Sequence, residues 1–250
     1  MVPVVWMQAV MGSCKLVYVD VGANKGDSLM DFAHSRPDQH IRTLLNAALP
    51  DWHPTTTCVF ALEANPRWTP TLRNVSRMLA PDVHSVSILY ETAAVEGETW
   101  QPVVLHDNGR GDSVGASVVA RAGSKHSRSV LGVNFVDWLL GATTPDVPVV
   151  VRMDVEGSEY SLLPCIASSG VGARRRLYIG IEWHRYLKAE VVPARLQAVW
   201  RGLDSSMAHF NRATPPPSKQ SSKQSSVFQD YEKVLVVMLH AAGVATQHTL

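Results

Sequence analysis

Apolar runs of strand length alternate along the chain with segments whose apolar positions follow a helical period. Strands that are buried on both faces are apolar at consecutive positions, because helices cover each side of their sheet. The pattern therefore predicts an α/β fold with a mostly parallel sheet and helices on both faces. The predicted strands are 16–21, 58–63, 83–90, 147–155 and 177–183. The predicted helices are 27–34, 39–49, 66–79, 135–140, 158–168 and 193–209.

Several segments depart from this alternation. Residues 97–132 are rich in Gly, Ser and Arg, which predicts an irregular excursion with a short hairpin over the ligand edge. The sequence is interpreted as a single domain over 1–250 with a core of about 14–213. Residues 214–226 are predicted as a flexible low-complexity loop, and 227–250 as a final strand, at 234–239, and a tail.

Composition narrows the class of protein. A hydrophobic fraction of 46% supports one sizeable core and excludes global disorder. Lys and Arg number 23 against 22 Asp and Glu, so no whole-molecule field attracts nucleic acid, and no nucleic-acid partner is expected. No stretch approaches the roughly 20 apolar residues of a membrane span. The apolar run at 2–12 lacks the features of a secretory signal, so a soluble, cytoplasmic protein is expected.

The chain has three cysteines, Cys14, Cys58 and Cys165. They are widely spaced, odd in number and set among apolar neighbours. This pattern argues against both a disulfide framework and a zinc cluster. We expect buried thiols in a reducing compartment.

A glycine-bearing turn follows the first predicted strand. Gly22 and Gly26 would let the backbone turn sharply and approach a ligand closely, and Asn24 with Asp27 could cap the next helix. Such a turn is found in nucleotide pockets. A glycine pair also fits an ordinary strand-to-helix connection, so the turn by itself does not distinguish a ligand pocket from a structural turn.

Ionisable side chains stand at the ends of further strands. Glu63 closes the second strand, where a carboxylate can accept both hydroxyls of a ribose. Three acids follow the fourth strand within 153–159, and Glu182 and His184 close the fifth. Charged groups at a buried sheet terminus cost free energy, and parallel strands bring their carboxyl ends to one edge. The coincidence predicts a ligand site at that edge.

Four segments together, 19–24, 63–66, 93–95 and 152–159, resemble the FkbM-type family of S-adenosylmethionine-dependent methyltransferases. The resemblance covers about residues 16–184 in the right order, and its most specific part is the Asp-Val-Glu-Gly-x-Glu element at 154–159. It implies a Rossmann-like class I methyltransferase fold with S-adenosyl-L-methionine as the cofactor. It also implies methylation of a hydroxyl on a small molecule or a glycan.

The resemblance also implies roles for particular residues. Asp20, Gly22 and Asn24 would lie near the methionine portion of the cofactor, and Glu63 would bind the ribose. An adenine pocket would form around residues 90–93. The residues assigned to the cofactor are Asp20, Gly22, Asn24, Gly26, Glu63, Asn65, Thr92 and Asp154.

Two features depart from the family pattern. An insertion at 36–57 separates the first and second strands. After the fifth strand only one clear strand follows, where the family fold would supply an antiparallel pair. The sheet edge is therefore expected to be shortened.

Methyl transfer to a hydroxyl requires near-attack geometry and a base. The candidates on the acceptor side are Asp154, Glu182 and His184. We favour His184 as the base, oriented by Asp154 or Glu182, because imidazole titrates near neutral pH. A structural histidine at a strand end is the alternative. Carboxylates of Asp154, Glu156 and Glu182 would suit magnesium, but nothing in their spacing demands it, and no metal is predicted.

Two other function classes stay open. A nicotinamide-dependent oxidoreductase is weakened because the turn lacks the third glycine of the dinucleotide fingerprint. In addition, Glu63 lies 41 residues after Gly22, whereas that fingerprint places an acid about 20 residues on. The second class is a non-catalytic relative that keeps a nucleotide pocket without turnover.

Overall fold

The computed structural model describes residues 13–107, 116–119, 124, 126–182 and 245–249. The strands are β1 (Leu16–Val21), β2 (Thr57–Glu63), β3 (Ser85–Tyr90), β4 (Thr92–Val95), β5 (Gln101–Asp107), β6 (His126–Asn134), β7 (Val149–Met153), β8 (Leu177–Glu182) and β9 (Ala245–Thr249). The helices are α1 (Asp27–Ala33), α2 (Gln39–Ala48), α3 (Thr69–Leu79), α4 (Phe135–Ala142), α5 (Glu159–Ser168) and α6 (Val171–Arg174). The apolar run at 2–12 and the predicted segments 193–209, 214–226 and 234–239 lie outside the described residues.

The central sheet has six strands in the order β3-β2-β1-β7-β8-β9. Every neighbouring pair in this sheet is parallel. From β1 the chain first adds strands on one side and then returns to add β7 and β8 on the other. This order makes the molecule a doubly wound, Rossmann-like α/β protein, as the apolar pattern predicts. The order reverses between β1 and β7, and ligands of such sheets bind beyond the carboxyl ends of these strands.

Helices cover both faces of the sheet, so alternate residues of a strand enter different cores. Val17, Val19 and Val21 of β1 pack with α4 and α5 on one face. Leu16 and Tyr18 pack with α1, α2 and α3 on the other. Both halves of the period are therefore apolar from Leu16 to Val19, and Asp20 near the carboxyl end of β1 is the exception. None of the helices in the described part of the chain is long and apolar enough to span a bilayer.

A second sheet of three strands, in the order β4-β6-β5, stands beside the central one. Strands β5 and β6 are antiparallel, which confirms the hairpin predicted in 97–132, although these strands are longer than expected. Strand β4 begins just after β3 ends, because Glu91 between them adopts a left-handed conformation with φ 55°. The predicted strand 83–90 ends at Tyr90, and the sequence pattern does not predict that a strand of a second sheet follows.

The insertion at 36–57 contains the predicted helix as α2. The Asp38 side chain caps it by accepting hydrogen bonds from the backbone N–H groups of His40 and Ile41. Its buried side chains, Ile41 among them, join the core beside the sheet. Gly180 of β8 allows this packing, because a Cβ there would lie 2.7 Å from the Ile41 Cδ1 atom. The insertion therefore covers the sheet.

The interpretation of all three cysteines as thiols is wrong. Cys14 and Cys58 form a disulfide with their Cα atoms 5.7 Å apart, and Cys165 in α5 is not part of it. Residue Leu16 pairs with Thr57 in the β1–β2 register, which brings the amino ends of the two strands together. A separation of 44 residues along the chain hid this proximity.

The described edge of the central sheet is β9, which pairs in parallel with β8. The sequence predicts the last strand at 234–239 and a tail after it, so β9 lies in the predicted tail. At this edge of the sheet β8 pairs with β7 and with β9, and both pairs are parallel. The antiparallel pair that the methyltransferase resemblance implies is therefore not seen among the described strands.

Candidate functional site

The turn after β1 is held between the ends of two neighbouring strands. Gly22 has φ 87°, and a Cβ at this position would lie 1.8 Å from the backbone oxygen of Asp154. The Gly22 N–H donates to the Leu62 carbonyl at 2.9 Å, and the Asp154 N–H donates to the Val21 carbonyl at 2.9 Å. Only glycine fits this position, because both the conformation and the space exclude a side chain.

Gly26 serves helix packing instead of lining the pocket. It precedes α1 with φ 86°, and a Cβ there would lie 3.0 Å from the Val75 Cγ1 atom of α3. Its small size lets α1 and α3 approach each other. The assignment of Gly26 to the cofactor is therefore not matched by its position.

Glu63 joins the turns that follow β1 and β2. Its Oε2 accepts a hydrogen bond from the Asn24 N–H at 2.7 Å, and its Oε1 accepts one from the Asn65 N–H at 2.6 Å. Burial raises the pKa of Glu63 to about 7, although the two backbone hydrogen bonds act in the opposite direction. The carboxyl thus fixes two loops and keeps lone pairs for a ligand.

Two buried amide atoms flank Glu63 without a hydrogen-bond partner among the described residues. They are the Oδ1 atom of Asn24, an acceptor, and the Nδ2 atom of Asn65, a donor. Both asparagines line the same pocket. Buried polar atoms are usually paired, so this acceptor and this donor mark positions for ligand groups.

Arg152 connects three strand ends beside the pocket. Its Nη1 atom lies 3.1 Å from Asp20 Oδ1. Its Nη2 atom lies 2.8 Å from Asp154 Oδ2 and 3.5 Å from Glu182 Oε2. Asp20 is fully buried and also accepts a hydrogen bond from the Ser28 hydroxyl. One guanidinium therefore holds the ends of β1, β7 and β8 together.

Burial and charge act against each other in this network. Burial raises the pKa of Asp20 above its usual range, while Arg152 and the Ser28 hydroxyl favour its ionised form. Burial alone would lower the pKa of Arg152, but the carboxylates of Asp20 and Asp154 outweigh it and raise that pKa. Since Asp20 lies behind the pocket lining, its role is to hold Arg152.

The pocket lies at the carboxyl ends of β1, β2 and β7, where the strand order reverses. Four acidic residues line it, whereas none of its described lining residues is Lys, Arg or His. The acids are Glu63, Asp154, Glu156 and Glu182. The pocket therefore favours a cationic ligand and disfavours an anionic one.

The second sheet and the segment beyond it close one side of the pocket. The Ser117 hydroxyl donates to the backbone carbonyl of Glu156 at 2.6 Å, and Ser117 pairs with His106 of β5. Ser117 is nearly fully buried and lines the pocket. The predicted excursion thus reaches the turn after β7 and covers the ligand edge there.

The structure brings most of the residues named from the sequence into this pocket. Those that line it are Gly22, Asn24, Glu63, Asn65, Thr92, Asp154 and Glu182. Thr92 is buried there, and its hydroxyl donates to the Tyr90 carbonyl at 2.9 Å. Asp20 and Gly26 are outside the lining, and His184 lies outside the described residues.

Sequence reasoning missed Arg152, Ser117 and Trp68. Arg152 opens the matched segment 152–159, two residues before its most specific element, and the excess of acids at the strand ends was a usable signal that a cation must balance them. Ser117 and Trp68 also line the pocket, but nothing in the sequence around them indicates that they do. The Arg152 guanidinium forms ion pairs with both Asp154 and Glu182, so these two carboxylates already have a cationic partner.

Comparisons of the chain with family models, curated proteins and solved structures find no match. Similarity to another protein therefore contributes nothing to the functional assignment. The assignment depends on the fold, the pocket and the motifs of the chain itself.

Proposed function

We propose that this protein is a methyltransferase that uses S-adenosylmethionine and methylates a hydroxyl of a small molecule or a glycan. The observation that carries the proposal is the charge of the pocket at the reversal of the strand order. Its described lining contains four acidic residues and none of the basic types.

The charge of the ligand separates the two cofactor classes. S-adenosylmethionine carries a sulfonium, an ammonium and one carboxylate, so its net charge is positive and its two cationic groups are attracted by the carboxylates of the pocket. A nicotinamide dinucleotide carries a pyrophosphate, which such a pocket repels. Asp27 adds a further carboxylate in the first turn of α1, where a dinucleotide fold would place its phosphates. Electrostatics therefore favours the sulfonium.

The hydrogen-bonding groups of the pocket fit the same ligand. Asn24 Oδ1, which has no partner among the described residues, can accept from an ammonium or a hydroxyl. Asn65 Nδ2, likewise without a described partner, can donate to a ribose or adenine acceptor. Between them, the Glu63 carboxylate can accept from ribose hydroxyls. The three residues thus offer an adenosyl group partners of both kinds.

Bound S-adenosylmethionine would supply a methyl group attached to a good leaving group. The acceptor oxygen would approach the methyl carbon from the side opposite the sulfur, and the thioether would leave. The chain must hold the acceptor and take its proton. Asp154 and Glu182 are less suited to take the proton, because both carboxylates are already engaged by the Arg152 guanidinium. We propose that they orient the acceptor side and that His184, two residues after Glu182, accepts the proton.

Ligand-dependent stability tests the proposal directly. S-adenosylmethionine or S-adenosylhomocysteine at 100 times its dissociation constant should stabilise the chain by about 2.7 kcal/mol, and NAD should not. Glu63→Gln should weaken S-adenosylmethionine binding about tenfold or more, because a charge-assisted hydrogen bond is lost. Glu98→Gln removes the same charge from an exposed position and should bind normally. Calorimetry that detects no heat with either adenosyl compound on folded protein would refute the proposal.

One observation favours a nicotinamide-dependent oxidoreductase as the second candidate. Strand β9 is parallel to β8, and the sheet order with this strand matches the dinucleotide-binding fold. Stabilisation by NAD without stabilisation by the adenosyl compounds would establish this alternative.

A non-catalytic relative would bind S-adenosylmethionine yet release no S-adenosylhomocysteine with any hydroxyl acceptor. Turnover that is unchanged in His184→Ala would remove that residue from the mechanism.

A further inference from the structure

A second cluster of reactive side chains lies at the edge of the sheet opposite the pocket. Cys14 precedes β1, Cys58 stands near the start of β2, and His84 directly precedes β3. These strands are parallel neighbours, so their amino ends meet. The fold therefore assembles two sulfurs and an imidazole from distant parts of the chain.

The geometry of this cluster suits a metal ion. The two Sγ atoms and one ring nitrogen of His84 all lie within 4.8 Å of one another. Both cysteines are buried, whereas His84 is exposed, so the cluster is dry at the sulfurs and open to solvent at the imidazole. The His84 backbone N–H is fixed by the carbonyls of Pro54 at 3.2 Å and Thr57 at 3.1 Å.

Hydroxyl groups support two members of the cluster. The Ser85 hydroxyl donates to Cys58 Sγ at 3.0 Å and so helps to hold this sulfur in place. The Ser13 hydroxyl lies 2.6 Å from His84 Nε2 and orients the ring. Outer hydrogen bonds of this kind position the ligands of metal sites.

We propose that the reduced chain binds a zinc-type cation through Cys14, Cys58 and His84. Two thiolates and an imidazole form a soft ligand set that selects Zn²⁺, with water completing four-coordination. The disulfide and the metal complex are then alternative states of one site. Opening the disulfide takes two electrons from a thiol or phosphine reductant and two protons from the solvent to give two thiols. Metal binding then returns these two protons to the solvent.

The site would have a structural consequence. The disulfide closes the chain between Cys14 and Cys58, and a shared metal ion closes the same loop. Zinc should therefore restore stability that reduction removes. This inference concerns the amino ends of the strands and is independent of the function proposed for the pocket.

Metal titration of the full chain tests the inference. The protein is reduced with a phosphine, and Zn²⁺ is titrated in competition with a chromophoric chelator. We expect one equivalent to bind to the reduced chain and none to bind at this site in the oxidised chain. Co²⁺ in place of Zn²⁺ should give a thiolate-to-cobalt charge-transfer band. Absence of stoichiometric binding to the reduced protein would overturn the proposal.

Variants identify the ligands. Cys58→Ser should abolish the charge-transfer band, and His84→Ala should weaken Zn²⁺ binding at least tenfold. Cys165→Ser is the matched control and should bind like the unaltered chain. If Cys58→Ser does not fold, His84→Ala decides, because His84 is exposed and its removal leaves the core intact. Unchanged affinity and spectrum in His84→Ala would contradict the proposed ligand set.

Discussion

Glu63 shows how a single residue combines structure and ligand binding. Its carboxyl is buried at the carboxyl end of β2 and accepts two backbone hydrogen bonds. The effect of burial on the pKa is larger than the opposite effect of these hydrogen bonds, so the pKa rises from 4.5 to about 7. The protein therefore keeps a group with an unfavourable ionisation in the middle of its pocket, as functional sites often do.

Stability should fall with rising pH because of this residue. Between pH 4.5 and about 7 the unfolded chain ionises Glu63 while the folded chain keeps it protonated, so unfolding becomes easier as pH rises. The loss is about 3 kcal/mol for this shift. In Glu63→Gln the fall in unfolding free energy across this range should be smaller by about that amount, measured by urea denaturation. Equal pH dependence in both proteins would contradict the assignment.

Arg152 is the second residue whose removal should be informative. Arg152→Met leaves Asp20 buried without its cation, which should cost about 3–5 kcal/mol of unfolding free energy. Adding Asp20→Asn removes the uncompensated charge, so the double variant should be more stable than Arg152→Met alone. Chemical denaturation of the four proteins of this cycle gives the coupling energy. Additive effects would show that the two side chains do not stabilise each other.

At the scale of elements, the strand-to-helix turn after β1 depends on contact between backbones. The turn passes directly against the end of β7 at Gly22. Position 22 therefore aligns the loops of β1 and β7, which both line the pocket.

Substitution of Gly22 should be far more disruptive than substitution of another glycine of similar conformation. Gly22→Ala places a Cβ 1.8 Å from a backbone oxygen and should prevent stable folding. Gly170→Ala is the control, because Gly170 has φ 69° and open space around its Cβ position. The strain of the control alone should cost about 1–2 kcal/mol. Thermal unfolding of both variants checks the difference, and similar losses would mean that the close contact is unimportant.

The elements were predictable to different degrees. Strand β1 has the predicted bounds, and α2 differs from its prediction only at its last residue, because both segments have a strong local pattern of apolar residues. The predicted strand 83–90 ends at the same residue as β3, but β4 was not predicted as a strand. Glu91 turns the chain there with a left-handed conformation, and its residue type gives no sign of it.

At the scale of the whole molecule, the disulfide joins the first two strands at the edge opposite the pocket. It closes a loop with a sequence separation of 44 residues. A chain-entropy estimate gives such a loop about 4 kcal/mol of stabilisation. The link therefore secures the insertion between β1 and β2, including α2.

Reduction in the presence of a metal chelator should lower the unfolding free energy by about 4 kcal/mol. The chelator keeps the reduced cysteines from closing the loop through a metal. Urea denaturation of oxidised and reduced protein measures the loss, and Cys165→Ser should show the same difference. Identical transitions in both states would contradict the link between Cys14 and Cys58.

The sequence by itself determined the α/β class, most strand and helix positions and the acidic residues at the strand ends. These features follow from local periodicity and from the cost of burying charge. Tertiary structure alone decided that Arg152 joins Asp20 to Asp154, that Asp20 lies behind the pocket, and that Cys14 meets Cys58. Each of these three features depends on which strands become neighbours in the sheet. The order of the strands is set by the packing of the whole chain.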